Sequence, residues 1–343
     1  MQKEKAHHTL SFDTIAELVN FLGKLKYGYF YRGVPDYKFE LKSKLQRVLE
    51  DNQCDAKLWY AKEIFSINYF KQQFKTIDKN CPEDEDIFNW LCLMQHYGAP
   101  TRLIDWTLSP YVALFFAYTD IDFKKEKDGA LWIINPEVIK AGILQRRDDF
   151  HNDLININRF LAEEEGGKNR DSFEKQNDVL KRINLLLIKA MTGEHYGNLP
   201  ISGFYSDARL IAQQGCFTIQ LNLSQNLDRI PIYSPDNSFN GMQENVISFT
   251  SRWTSIEDIL GNPNLTQFLK IKLPFNWKNQ ILEMLAKMNV SAANLFPGLA
   301  GIGLATQNHL IFKTVQEGHR NFVDTSVDAN ELMAKWAKDL AKE

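Results

Sequence analysis

Two hydrophobic helices separated by a polar segment form the most informative pattern in the chain. Apolar residues recur at helical spacing from Phe88 until Gly98, and Pro100 then prevents the helix from continuing. A second helix is predicted to begin at Ser109, a good N-cap that precedes a proline and an apolar run. Residues 101–107 are predicted to be a short connector that carries hydroxyls, an arginine, an aspartate and an indole. We expect polar groups in such a place to be satisfied by each other or by a ligand.

Two interpretations of this connector follow from the residues alone. In the first, Arg102 and Asp105 pair with each other and fix the turn, while Trp106 fills the core. In the second, the connector is one wall of a ligand pocket, and the free amide groups of the helix that begins near Ser109 favour an anion there. Sequence spacing does not choose between them.

Two further charged residues occupy unusual positions. Arg32 follows an aromatic strand and precedes a glycine turn, so it is either a surface cation or a guanidinium that grips phosphate or carboxylate. Glu63 lies on the apolar face of a helix predicted over residues 56–74. A buried carboxylate is costly without a partner, and a structural ion pair is favoured over catalysis. The candidate partners of Glu63 are Arg32, Arg47 and Arg102.

The remaining pattern predicts an α+β fold with a central, mostly antiparallel, split sheet surrounded by helices. Strands are predicted near Phe30, Leu131, Phe217, Ile247 and Ile271. At the start of the chain, a polar tail is followed by a capping box at residues 14–17. A surface loop is expected at residues 163–167, and a compact turn is expected at residues 294–301. We divide the chain into an N-terminal amphipathic helix in residues 1–26, a main domain in residues 27–310 and a C-terminal helix in residues 311–343. The amphipathic pattern of the C-terminal helix runs from Asn330 to Lys342. The main domain contains a helical insertion at about residues 136–191.

Composition and charge bound the possible functions. The formal net charge of -3 gives no overall attraction to nucleic acid or to an anionic membrane. No membrane association is expected, because no run of 18 apolar residues occurs, and a cytoplasmic location is expected because the first residues lack a signal-peptide pattern. The four cysteines and the histidines show no ligand spacing, so no metal site is predicted. Lys42, Lys44 and Arg47 are either contacts to a phosphate backbone or an ordinary solvated surface.

The order of motifs in the chain resembles the FRG domain family, which is named after its Phe/Tyr-Arg-Gly motif. The motifs that carry this resemblance are Tyr31-Arg32-Gly33, Gln95 to Thr107 with Ser109-Pro110 and residues 113–117, Arg209 with Gln213-Gln214-Gly215 and Phe217, and residues 295–301. The resemblance covers about residues 27–310. One departure is Ala300, where the family more often has an acidic residue.

The motif order is also similar to that of ADP-ribosyltransferases, and many FRG-domain proteins look like bacterial toxins or antiphage defence proteins. The resemblance implies an ADP-ribosyltransferase-like core that uses NAD as a substrate. It also implies a macromolecular acceptor, with RNA or DNA slightly favoured over protein. An antitoxin or a chaperone is a further implied partner. Arg32 would hold the NAD phosphates, and Tyr31 or Trp106 would contact the nicotinamide. The implied NAD-binding residues are Tyr31, Arg32, Gly33, His96, Thr101, Arg102, Trp106 and Gln213.

Cleavage of the bond between nicotinamide and ribose develops positive charge on the sugar, so the site needs a carboxylate or another acceptor. The related motif of ADP-ribosyltransferases supplies a glutamate where this chain has Gln213-Gln214. The predicted catalytic set is Arg32, Glu63, Asp105, Thr107, Gln214 and Glu244. If none of these carboxylates reaches the sugar, we expect a module that senses a nucleotide or a phage component without catalysis. A third hypothesis is an RNA-cleaving enzyme that uses His96 with Arg102.

Overall fold

The structure is a computed structural model that describes residues 7–119, 127–136, 173–191, 198–201, 208–224, 226–227, 255–265, 268–311 and 338. The chain divides into two compact units, Met1–Phe275 and Asn276–Glu343. Within the described ranges, no helix combines the length and the apolar character that a membrane crossing requires.

A seven-stranded sheet forms the centre of the first unit. Its strands are β1 (His8–Leu10), β2 (Phe30–Val34), β3 (Leu103–Thr107), β4 (Gly129–Ile134), β5 (Asn198–Ile201), β6 (Gly215–Gln220) and β7 (Phe268–Leu273). They lie in the order β1-β7-β4-β2-β3-β6-β5. Neighbouring strands are antiparallel except for β1 and β7, which are parallel. The predicted α+β fold with a mostly antiparallel sheet is confirmed.

Helices surround this sheet. In the first unit they are α1 (Ile15–Lys24), α2 (Lys44–Asp51), α3 (Trp59–Ile77), α4 (Ile87–His96), α5 (Pro110–Tyr118), α6 (Phe173–Ala190), α7 (Ala208–Ala212) and α8 (Ile256–Gly261). Short 3-10 helices lie at Ala56–Leu58 and Pro263–Leu265. The described helices of the second unit are α9 (Lys278–Lys287), α10 (Ala292–Leu295) and α11 (Leu299–Ile311).

Capping side chains determine where the predicted helices begin. The hydroxyl of Ser109 accepts a hydrogen bond from the amide of Val112 at 3.4 Å, which satisfies one of the free donors at the start of α5. The hydroxyl of Thr14 accepts from the amide of Glu17 at 3.2 Å at the start of α1. After α4, Gly98 has a φ of +80°, a conformation that residues with a side chain adopt at a cost. These local predictions are confirmed.

Strand β3 is covered on both faces. Leu103 belongs to one hydrophobic core, which lies between the sheet and helices α4 and α6. Ile104 and Trp106 point to the opposite face and belong to a second core, formed largely by β2, β4 and β7. Because successive side chains of a strand point to opposite faces, this alternation places Asp105 and Thr107 on the face of α4.

Three expectations about secondary structure are wrong. The segment predicted to connect two helices contains β3, whose residues pair from Leu103 opposite Ile219 to Thr107 opposite Gly215. The predicted polar tail contains β1, which pairs with β7. Much of the turn expected at residues 294–301 is helical, because α10 reaches Leu295 and α11 begins at Leu299.

Several predictions fall on residues that the structure does not describe. They are the strand near Ile247, the loop at residues 163–167, the first part of the helical insertion, and the C-terminal helix apart from Lys338. Helix α6 occupies the last part of the predicted insertion. The predicted domain boundaries stay predictions.

Candidate functional site

A pocket of about 380 Å³ lies where β2 and β3 separate. The two strands pair through Tyr31 and Thr107, and beyond this pair Arg32 and Gly33 of one strand and Asp105 of the other line the pocket. The volume lies in the range of roughly 300–1,000 Å³ that is usual for small-molecule sites. Helices α4, α5 and α7 and strand β6 supply further lining residues, which include Cys92, Gln95, His96, Phe116, Arg209, Leu210 and Phe217.

Gly33 allows helix α5 to lie directly against β2. A Cβ atom at position 33 would overlap the carbonyl oxygen of Ala113 and would lie 2.7 Å from the amide nitrogen of Ala117. These are backbone atoms, so they cannot move aside without moving the helix. The glycine of the Tyr-Arg-Gly motif therefore positions α5, and Ala113 and Phe116 of α5 line the pocket.

Arg32 connects the two strands across the pocket. Its Nη1 atom donates a hydrogen bond to the backbone carbonyl of Asp105 at 2.6 Å and lies 3.9 Å from the carboxylate Oδ2 of the same residue. Burial lowers the pKa of Arg32, while Asp105 opposes this change and the positive charge of Arg47 adds to it. An arginine remains protonated in spite of such a shift, so the pocket contains a fixed cation.

Asp105 places a carboxylate at the open side of the pocket. Its side chain is 61% exposed, and Oδ1 accepts a hydrogen bond from Nε2 of Gln95 at 2.5 Å. Glu244, another predicted carboxylate, lies outside the described residues. Among the described residues, Asp105 is thus the predicted carboxylate that lines the pocket.

Trp106 and Thr107 belong to the pocket lining, but the indole of Trp106 lies in the core on the other face of β3, and the polar side-chain groups of both residues already have partners. The indole Nε1 of Trp106 donates to the hydroxyl of Thr218 at 3.0 Å. The hydroxyl of Thr107 donates to the carbonyl of Gln213 at 2.6 Å and accepts from the amide of Ser109 at 3.0 Å. Thr107 therefore ties the end of β3 to the turn before β6, and its hydroxyl proton is used within the protein.

Glu63 and Arg102 form a buried ion pair and do not belong to the pocket lining. Nε of Arg102 donates to Oε1 of Glu63 at 2.7 Å, and Nη2 donates to Oε2. Nη1 donates to the carbonyls of Gln220 and Leu221 at 3.2 and 3.4 Å. The interpretation that pairs Arg102 with Asp105 is wrong, and the expected partner of Glu63 is Arg102. The structure supports neither the catalytic position predicted for Glu63 nor the NAD-binding position predicted for Arg102.

Thr101 and Gln214 also lie outside the pocket lining. Thr101 is 1% exposed, and its hydroxyl donates to Oε1 of Gln95. Gln214 has a φ of +47°, and its carbonyl accepts from the amide of Leu108 at 3.0 Å. Thr101 therefore bonds to a residue of the lining and Gln214 to the residue after Thr107, but neither belongs to the lining itself.

Three other predicted residues line the pocket: Tyr31, His96 and Gln213. Burial, together with the nearby phenols of Tyr29 and Tyr111, raises the pKa of Tyr31, so this phenol stays neutral. The exposed ring of His96 contacts Tyr97 edge to face at 4.9 Å. Their roles in binding stay predictions.

The polar residues of the pocket that the predicted site omitted include Gln95 and Arg209. Both stand in the motifs that carry the family resemblance, and this was the signal that could have included them. Arg209 lies in α7 and adds a second arginine to the lining. Across the described ranges, no group of three or more His, Cys, Asp or Glu side chains is arranged to hold a metal ion.

Comparison with protein families identifies the region that contains most of this pocket. Residues 27–126 match the model of the FRG domain. This region is an FRG domain. The FRG domain supplies β2, α4, β3 and α5 to the pocket, whereas Arg209, Gln213 and Phe217 come from the chain beyond it. Searches of curated proteins and of solved structures gave no match.

Proposed function

We propose that the protein is an ADP-ribosyltransferase that binds NAD in this pocket and transfers ADP-ribose to a macromolecule. The observation that carries the proposal is the exposed carboxylate of Asp105, 3.9 Å from the guanidinium of Arg32 in one pocket. A cation for the pyrophosphate and an anion for the ribose are the two charges that this reaction needs.

The proposed reaction exchanges one bond at C1′ of the nicotinamide ribose. The bond from C1′ to the nicotinamide nitrogen breaks, and its electron pair leaves with neutral nicotinamide. A nucleophilic atom of the acceptor then bonds to C1′ and loses its proton to solvent. The carboxylate of Asp105 stabilises the positive charge that develops on the ribose, while Arg32 holds the phosphates and Tyr31 and Phe116 provide an aromatic wall.

A nucleic acid is the proposed acceptor class. Lys42 is neutralised by Glu40 and Glu50, each at 2.8 Å. Lys44 and Arg47, in contrast, are exposed, and Arg47 interacts electrostatically with Asp105 of the pocket. A positive surface beside the proposed reaction centre favours a phosphate backbone. We further propose that the activity serves a toxin or an antiphage defence protein, in which case a neutralising antitoxin or a chaperone is the expected protein partner.

The second candidate is a module that binds a nucleotide and signals without catalysis. It is favoured by Gln213, which lines the pocket at the motif where ADP-ribosyltransferases have a glutamate. The hypothesis of an RNA-cleaving enzyme loses one of its two groups, because Arg102 is fully buried in its ion pair and cannot contact a phosphate.

The test is transfer of label from NAD, radioactive in its adenylate phosphate, to RNA, DNA or lysate protein in separate reactions. We expect label on one of these pools, loss of label with Arg32→Ala, and a fall of about 100-fold or more with Asp105→Asn, because one preorganised charge is removed. Arg182→Ala, an exposed position on α6, is the matched control and should retain activity.

Calorimetric titration with NAD separates the two candidates. Binding without label on any pool would favour the sensing module, and full transfer activity in Arg32→Ala would refute the proposed site.

A further inference from the structure

We infer that Gln95 and Thr101 are positioning residues that hold the Asp105 carboxylate in one orientation at the pocket. The inference rests on the proposed function, in which Asp105 stabilises charge on the ribose. It adds two residues that do not contact the reacting atoms themselves. They act through a chain of hydrogen bonds that runs from Thr101 to Gln95 and from Gln95 to Asp105.

Thr101 is the fixed end of this chain. Its backbone carbonyl accepts a hydrogen bond from the amide of Leu45 at 3.1 Å, and its side chain is buried. Its hydroxyl oxygen accepts from the amide of Leu103 at 3.3 Å. Because the oxygen accepts from this backbone amide, its own proton is directed to another acceptor, Oε1 of Gln95.

The hydroxyl of Thr101 thereby selects the orientation of the Gln95 side-chain amide. With Oε1 turned toward Thr101, the amide presents its Nε2 donor to Oδ1 of Asp105 at 2.5 Å. In the flipped orientation, the carbonyl oxygen of Gln95 would face the carboxylate, and two acceptors would repel each other. The orientation with a donor toward Asp105 is therefore the one that satisfies all three side chains.

The consequence for Asp105 is a restricted carboxylate. An aspartate that is 61% exposed would otherwise sample several rotamers. The bond from Gln95 holds Oδ1, and Arg32 holds the backbone carbonyl of the same residue and lies 3.9 Å from Oδ2. A charge that is already in position needs no reorganisation when positive charge develops beside it. The hydrogen-bond chain thus supplies preorganisation rather than binding.

The first test measures kcat and KM for NAD in three variants. We expect Thr101→Val and Gln95→Leu each to lower kcat by about 10- to 100-fold, since a misplaced reacting group has effects of this size. KM for NAD should change by no more than about twofold, because the bonds removed do not bind the substrate. Thr101→Ser keeps the hydroxyl and should restore most of kcat. The control is Thr76→Val on α3, whose hydroxyl bonds to its own helix at the carbonyl of Gln73.

Two kinetic outcomes would overturn the inference. One is an unchanged kcat in both Thr101→Val and Gln95→Leu. The other is an equal loss in Thr101→Ser and Thr101→Val, which would point to packing at position 101 instead of the hydroxyl. Thermal unfolding of every variant shows whether it is folded at the assay temperature.

A second test needs no activity and separates this inference from the proposed function. The side-chain amide protons of Gln95 are followed by NMR in the full chain. We expect a protected, shifted signal in the wild type and in Thr101→Ser, and the values of an exposed glutamine in Thr101→Val and Asp105→Ala. If the wild type transfers no ADP-ribose, the proposed function fails while this signal still reports the positioning. An unaltered Gln95 signal in Thr101→Val would overturn the inference.

Discussion

The buried ion pair between Glu63 and Arg102 allows a quantitative prediction about stability. Arg102 is fully buried and Glu63 is 2% exposed, so neither charge is solvated when the other is removed. Glu63→Leu takes away the acceptor of Nε and Nη2. Among the described residues, the remaining hydrogen bonds of the guanidinium run from Nη1 to the carbonyls of Gln220 and Leu221. Removal of one partner of a buried pair costs about 3–5 kcal/mol.

This free energy corresponds to a measurable change in melting temperature. The pair lies in the unit Met1–Phe275. With an unfolding entropy of about 2.1 cal/mol/K per residue, 1 kcal/mol corresponds to about 2 °C for a unit of this size. We therefore expect Glu63→Leu to lower the melting temperature by about 5–9 °C. Differential scanning calorimetry at one pH and one scan rate is the assay.

The double variant Glu63→Leu/Arg102→Met supplies the comparison. Replacement of a buried pair by apolar residues of similar size is often neutral or stabilising, so the double variant should recover most of the loss. A single variant that melts within about 1 °C of the wild type would show that water reaches the pair, since an exposed pair contributes only about 0–1 kcal/mol. A double variant less stable than both single variants would also contradict the reasoning.

Two further predictions concern the sheet and its acid stability. Gly33→Ala should destabilise the protein by about 1–3 kcal/mol or more, because the added Cβ would overlap the backbone of Ala113. Gly23→Ala is the control and should be neutral or stabilising, because no atom lies within 4 Å of a Cβ at that position of α1. Urea unfolding compares the two variants, and equal midpoints of their unfolding transitions would contradict the prediction. The hydrogen bond from Lys127 lowers the pKa of Asp36 below its usual 3.8, so its contribution to stability is present above that pH and is lost as the pH falls through the folded-state value. Asp36→Asn should lose less stability than the wild type between neutral pH and pH 3, as followed by circular dichroism, and identical acid-unfolding curves would refute this linkage.

Local signals in the sequence predicted those parts of the fold that depend on neighbouring residues. Ser109 and Thr14 begin helices, and Gly98 follows the end of one, because capping and backbone freedom involve atoms only a few residues apart. The family motifs likewise located Arg32 and Asp105, which the fold then brought together across 73 residues of sequence.

The missed strands and the partner of Glu63 left open by the sequence have one physical cause, which is pairing between distant segments. Residues 103–107 lie between the end of one predicted helix at Gly98 and the start of the next at Ser109, so the helix signals predict a connector there. Ile104 and Trp106 nevertheless alternate with polar residues, as in a strand. Their strand conformation depends on β6, more than 100 residues away. The position of Glu63 on an apolar face predicted a cationic partner, but the sequence did not distinguish Arg32, Arg47 and Arg102. The folded chain pairs Glu63 with Arg102.

The pairing of β1 with β7 has a consequence for how the chain is made. His8 lies opposite Leu269, so a ribosome adds 261 residues after His8 before Leu269 is in the chain. At roughly 5–20 residues per second, this interval lasts about 13–50 s. During it, the backbone groups of His8–Leu10 lack their final partners, and a nascent chain is exposed to pairing with the wrong strand. The pair β1–β7 can therefore form only after β7 has left the ribosome. The first of the described strands to be synthesised and the last are neighbours in the sheet.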